Sequence, residues 1–355
     1  SIIYYMLINY SQNLIDKYLG IIDDISGTEI LELYNYLKNN KYKMNDLKMS
    51  QCMKSYPNSN FISPTLFKKT KEYNNCLNIN WSVTNNENKK IKCSFYYYSK
   101  SFHEINKKLL KHLIDSISFI ISFQNKNHNY KIYFVPLNDM KKYNSKTRSL
   151  TKHLINSGCS SIGGEGTSIY IWRLEELNKV LFHEVIHSFI NYDNYETINI
   201  HKNTKKLVNK YKKRYKLYSR GIHFDEAFCE TWARILNCFY ISNEYPINNQ
   251  YGYFCKLFSF EIFYSKQISL NLLKLKEKNN ILLDDHTNIS SYYLITSELL
   301  NNIQKFISFT KKNNYFHLND LEPFYLHLNN LKKINNKKLL INIKSLRMSC
   351  MELQI

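Results

Sequence analysis

Alanine is nearly missing from this chain: 355 residues contain two, Ala227 and Ala233. Glycine (8), proline (5) and arginine (6) are also few, whereas Lys, Asn, Ile and Tyr abound. The depleted residues have GC-rich codons and the enriched ones AT-rich codons, so the skew points to an AT-rich genome such as that of a large DNA virus. That origin lowers the weight of the +20 net charge, because Lys can accumulate by codon drift. The shortage of Arg argues against base readout and phosphate clamping, so nucleic acid is a disfavoured partner. A basic, non-catalytic binding or virion-associated protein, with a structural metal or none, remains the alternative reading.

The eight cysteines form no C-x-x-C pair and share no regular spacing. A reducing intracellular compartment is therefore expected, the host cytoplasm or the virion if the source is viral. Residues 1–16 lack a basic n-region and a cleavage site, and no run approaches the roughly 18 apolar residues of a membrane span. The start at Ser1 leaves a removed leader, and with it secretion, open. Nothing in the sequence speaks to oligomeric state.

Along the chain, residues 1–40 carry helical spacing in patches. Residues 40–90 break into polar, Asn-rich stretches with Pro57 and Pro64, and Thr84–Lys90 reads as a linker or exposed loop. This places a boundary near 90 between an N-terminal helical and loop region and a second domain, 91–355. In that domain Ile91–Tyr98 and Tyr130–Val135 read as strands around a helix at 103–123, an α+β arrangement with a small mixed sheet. Four of the eight glycines fall between Gly158 and Gly166, just before the strand Thr167–Trp172. A tight turn explains the cluster. A substrate-facing loop at an edge strand is the sharper reading, with Gly164, Glu165, Gly166, Ser168 and Tyr170 as candidate contacts. The C-terminal part, 256–355, reads as a helical lobe, with Tyr292, Ile295, Leu299, Leu300, Ile303 and Phe306 as a packing stripe.

The chemistry begins at Leu174, where apolar spacing predicts a helix to about Ile190 that carries His183-Glu184-Val185-Ile186-His187. Residues four apart lie about 40° from each other around a helix, so both imidazoles can reach one ion. Glu184 is placed beside that ion, where a carboxylate can take a proton from bound water. Zinc wants about three protein ligands and one open position. A second helix can supply the third: Glu226 and Glu230 are four apart, and like charges at that spacing repel unless a cation or an imidazole N–H lies between them. Glu226 is assigned to the metal and Glu230 to a hydrogen bond with the non-ligating nitrogen of His183. The reverse assignment stays open, and His223 is a rival ligand. Both alanines lie on this second helix, where small side chains permit close approach.

H-E-x-x-H followed by Glu226-Ala227-Phe228-Cys229-Glu230-Thr231-Trp232 resembles the gluzincin metallopeptidases, above all the anthrax-lethal-factor-like catalytic domain family with its E-F-F-A-E-A-F-like helix. The similarity spans about 163–240, and the gap from His187 to Glu226 is longer than in thermolysin-like members. The resemblance implies a zincin-like fold, one Zn2+ and hydrolysis of peptide bonds. It also implies a tyrosine shortly before the third ligand that stabilises the oxyanion, for which Tyr218 is the candidate. A peptide or protein substrate is expected, with acidic residues favoured if the basic charge steers it.

Overall fold

The computed structural model describes residues 9–18, 20, 22, 24–141, 150–163, 166–192, 198–217, 222–244, 248–279, 288–334 and 346–352. In chain order they form α1 (Asn9–Tyr18), α2 (Thr28–Lys38), β1 (Tyr42–Met53), α3 (Pro64–Thr70), β2 (Asn75–Asn85), β3 (Lys90–Ser99), α4 (Lys107–Ile121) and β4 (His128–Phe134). There follow α5 (Lys152–Ile155), β5 (Gly158–Gly163), β6 (Gly166–Ile171), α6 (Leu177–Ile186), α7 (Ile198–Tyr215), α8 (Phe224–Glu244) and α9 (Gln250–Asn279). A π-helical turn (Ser290–Ile295) then leads into α10 (Thr296–Asn301), α11 (Ile303–Lys311) and α12 (Leu321–Asn329).

The architecture is α+β, with one mixed sheet of six strands in the order β1-β2-β3-β4-β6-β5. The β3–β4 and β4–β6 pairs are parallel and the others antiparallel. Alternation sets the two faces. Ile79, Trp81 and Val83 of β2, Phe95 of β3, Ile132 of β4 and Ile169 of β6 point into the main core with the helices. Tyr98 and Trp172 point to the other face, into a smaller core under Tyr56, Ile62 and Leu66.

Two expectations change here. The boundary near 90 falls in the turn of the β2–β3 hairpin, whose strands pair from Asn75↔Ser99 to Thr84↔Lys90, so residues on both sides of it share one sheet. The polar stretch after residue 40 is not a loop throughout, because Tyr42–Met53 is strand β1. As an edge strand it is exposed along almost its whole length, so no apolar alternation marks it. The C-terminal expectation of helical packing is met by the π-helical turn, α10 and α11, where Ile295, Leu299, Leu300, Ile303 and Phe306 are buried.

The elements that place the site are α6 and α8. Ala227 and Ala233 of α8 are fully buried, as close helix packing requires. Trp232 locks α8 to the following elements, its ring 4.8 Å from Phe316 and 5.4 Å from Phe306. Behind α6 runs an irregular segment, Leu346–Met351, buried throughout. No helix among the described residues is long and apolar enough to cross a membrane.

Candidate metal centre

Helix α6 ends at Ile186, and His187 opens a short 3-10 turn to Phe189. The tightening still leaves both imidazoles on one side. His183 Nε2 is 3.3 Å from His187 Nε2. Glu226 Oε2, arriving from α8, is 3.1 Å from His183 Nε2 and 3.3 Å from His187 Nε2. Three donor atoms from two helices therefore form a nearly equilateral triangle. A tetrahedral ion with bonds of about 2.0–2.1 Å would hold its ligands about 3.3 Å apart, so the residues present fit such an ion. His183, His187 and Glu226 are the one group among the described residues with this convergence of His, Cys, Asp and Glu donors. His223 is exposed and takes no part.

The electrostatics ask for a cation at that point. Burial works against protonation of His183, yet the carboxylates of Glu226 and Glu230 facing its two nitrogens outweigh it and bring its pKa to about 9. Burial likewise pushes Glu226 up, and the two imidazoles reverse this and hold it well below the usual carboxylate range. The triad thus favours positive charge at this point, which a metal ion would supply. Glu184 behaves differently: burial raises it, against the pull of His183 and His187. A carboxylate biased towards holding a proton suits a general base beside an ion.

The surroundings of the triad include residues that the motif did not reveal. Tyr292 donates its hydroxyl to Glu226 Oε2 at 3.2 Å, and Asn288 Nδ2 donates to Glu226 Oε1 at 2.9 Å. Tyr292 belongs to the π-helical turn, where i→i+5 bonding breaks the 3.6-residue spacing; in sequence it looks like one more packing position. Asn288 precedes that turn in a left-handed conformation, φ 54°. Tyr192 OH lies 3.0 Å from His187 Nδ1 and donates to Asp225 Oδ2 at 3.3 Å. Glu230 Oε2 lies 3.2 Å from His183 Nδ1, close enough for an ion pair but without the alignment of a hydrogen bond. Tyr218 lies outside the described residues, as do Gly164 and Glu165.

The triad opens into a cavity of about 770 Å³. Its wall includes Gly158, Cys159, Ser160, Ile162 and Gly163 of β5, together with Glu184, Tyr192 and Tyr292. This corrects the expected edge strand: β6 lies between β4 and β5, and β5 is the antiparallel edge. Gly166, Ser168 and Tyr170 of β6 therefore do not line the cavity. Tyr170 stacks on Tyr133 at 5.1 Å and packs with the smaller core on the far face of the sheet. The glycine cluster serves two needs. Gly163 and Gly166 pair at the closing end of the β5–β6 hairpin. Gly158 admits a close approach: a Cβ there would come within 2.9 Å of Val180 Cγ1 and 3.1 Å of Glu184 Oε1.

No family model, no curated protein and no solved structure matches the chain.

Proposed function

We propose that the protein is a zinc-dependent peptidase of the zincin type, with His183, His187 and Glu226 as zinc ligands and Glu184 as general base. The observation that carries this reading is the triangle of ligand atoms, 3.1–3.3 Å on each side, with a buried carboxylate next to it on a cavity wall. The antiparallel edge strand β5 bordering that cavity adds support, since an extended peptide can pair with its free edge. The resemblance to the lethal-factor-like domains rests on the same residues.

Zinc would supply a water acidified towards neutral pH and a charge to polarise the scissile carbonyl. The chain's own part is proton handling and orientation. Glu184 accepts the proton of the attacking water and passes it to the leaving nitrogen as the C–N bond breaks. Tyr292, already aimed at the triad, takes the oxyanion-stabilising role that the resemblance suggested for Tyr218. Asn288 anchors the second oxygen of Glu226 and so leaves its partner oxygen to the metal.

The test begins with metal analysis of the purified protein, for which one zinc per chain is expected, and continues with a peptide library. Glu184→Gln should lose about 10²- to 10⁴-fold in kcat while keeping its zinc. Equal cleavage by both proteins would remove the mechanism. Tyr292→Phe, also with zinc retained, should lose about 10²- to 10³-fold in kcat with KM little changed. An unaltered kcat would return the oxyanion role to another group.

A further inference from the structure

The metal helix carries a lysine one turn before its first histidine, and that lysine does not reach solvent. Lys179 is 2% exposed. Its ammonium donates to both oxygens of Glu230, 3.2 Å to Oε1 and 3.0 Å to Oε2. Glu230 is the carboxylate that faces His183 Nδ1. One turn further along α8, Arg234 Nε donates to Glu230 Oε1 at 2.9 Å. So α6 contributes Lys179 and His183 four residues apart, α8 contributes Glu230 and Arg234 four residues apart, and the other three meet at the Glu230 carboxylate. Met348 Sδ closes the site at 3.5 Å from the Lys179 ammonium.

A buried lysine is expensive to desolvate and is not required for helix packing. From these contacts we infer that Lys179 is a positioning residue for the metal site: it clamps Glu230 so that His183 keeps its proton on Nδ1 and offers Nε2 to the ion. The inference rests on the metal-binding reading above. The chemistry follows from the competition for Glu230. With one imidazole as its only partner, a buried carboxylate is free to rotate and to draw the Nδ1 proton towards itself. With an ammonium on both oxygens and a guanidinium on one, its position is fixed and it remains an anionic acceptor. Among the described residues the second histidine is backed by the hydroxyl of Tyr192 instead, so the effect belongs to His183.

The experiment compares the wild-type protein with Lys179→Met, Lys179→Gln and Lys179→Arg. Zinc affinity is measured by chelator competition, and the ligand field by the visible spectrum of the cobalt(II)-substituted protein. Partners behind a metal-bound histidine are worth about 10- to 100-fold in metal affinity. Loss in that range is expected for the Met and Gln variants, with an altered cobalt spectrum, and near-complete rescue is expected for Arg. If the Met variant does not fold, the Gln variant, which retains a donor without the charge, carries the comparison. Folded Met or Gln variants that bind zinc like wild type, with an unchanged cobalt spectrum, would overturn the inference and leave the metal site standing. A wild-type protein that binds no zinc would overturn both.

Discussion

His183 and His187 stand one turn apart on the same segment, and what lies behind them differs in kind. Behind His183 is charge sealed from water: Glu230 with Lys179 and Arg234, all at most 2% exposed. This region continues backwards without reaching solvent. Glu176 accepts from Lys141 Nζ at 2.8 Å and from the backbone N–H groups of Met348 and Ser349, while Glu261 accepts from Cys350 N. Behind His187 is a neutral hydroxyl on the cavity wall, Tyr192, passing on to Asp225. Burial raises the Asp225 carboxyl, with Glu226 adding to the effect, so its charge is disfavoured where that of Glu230 is enforced. A charged, sealed support fails as a unit when one member is removed, whereas a polar support beside a cavity can be replaced by water.

The sharpest way to break this contrast is Glu230→Ala. It leaves Lys179 and Arg234 buried without their shared counter-ion, and removing one partner of a buried ion pair costs about 3–5 kcal/mol. Urea unfolding of the metal-free protein should show a loss of that size. A loss below about 1 kcal/mol would mean that water or Glu261 takes over, and the rear region would no longer count as a unit.

Acid should act on the same region with a somewhat smaller effect. Burial would raise Glu176, but the ammonium groups of Lys141 and Lys179 bring it from 4.5 down to about 2. A carboxylate depressed in the folded state adds stability that is complete above the unfolded value and disappears as pH falls through the folded one. The window is therefore pH 5 to 2, and the contribution is on the order of 3 kcal/mol. Glu176→Gln, again metal-free, should show a flatter acid limb than wild type between those values. Parallel stability curves for the two proteins would show that Glu176 is not the titrating group.

How much of this was legible beforehand depends on whether the interaction is local. H-E-x-x-H and Glu-x-x-x-Glu are readable because a helix turns fixed spacing into a shared face, and His183, His187, Glu226 and Glu230 all meet as that geometry requires. Lys179 and Arg234 have the same four-residue spacing to His183 and Glu230, yet in a chain with so much lysine nothing marks Lys179 as buried. Tyr292 lies 66 residues from its partner Glu226 in a turn with the wrong period, so no local rule reaches it. For the sheet, β2, β3, β4 and β6 alternate because one or both faces are covered. β1 and β5, the two edges, carry exposed or half-exposed residues and leave no periodic trace. β6, which directly precedes the metal helix, alternates and can be read as a strand, whereas β5, which borders the cavity, cannot.

The smallest effect is expected at the front, from Tyr192→Phe. The substitution removes a hydroxyl that bridges His187 Nδ1 and Asp225 Oδ2, without stranding a charge that burial enforces. A net hydrogen bond is worth about 0.5–1.5 kcal/mol, and the adjoining cavity allows a water to replace the hydroxyl. Stability should fall by about 1 kcal/mol or less, and zinc affinity by no more than about tenfold, at or below the low end of the range for such partners. Chelator competition on this variant beside Glu230→Gln measures the two supports on one scale. If Tyr192→Phe loses as much zinc affinity as the Glu230 variant, both histidines depend equally on their partners. The contrast between sealed charge and open hydroxyl would then describe the surroundings without explaining the metal site.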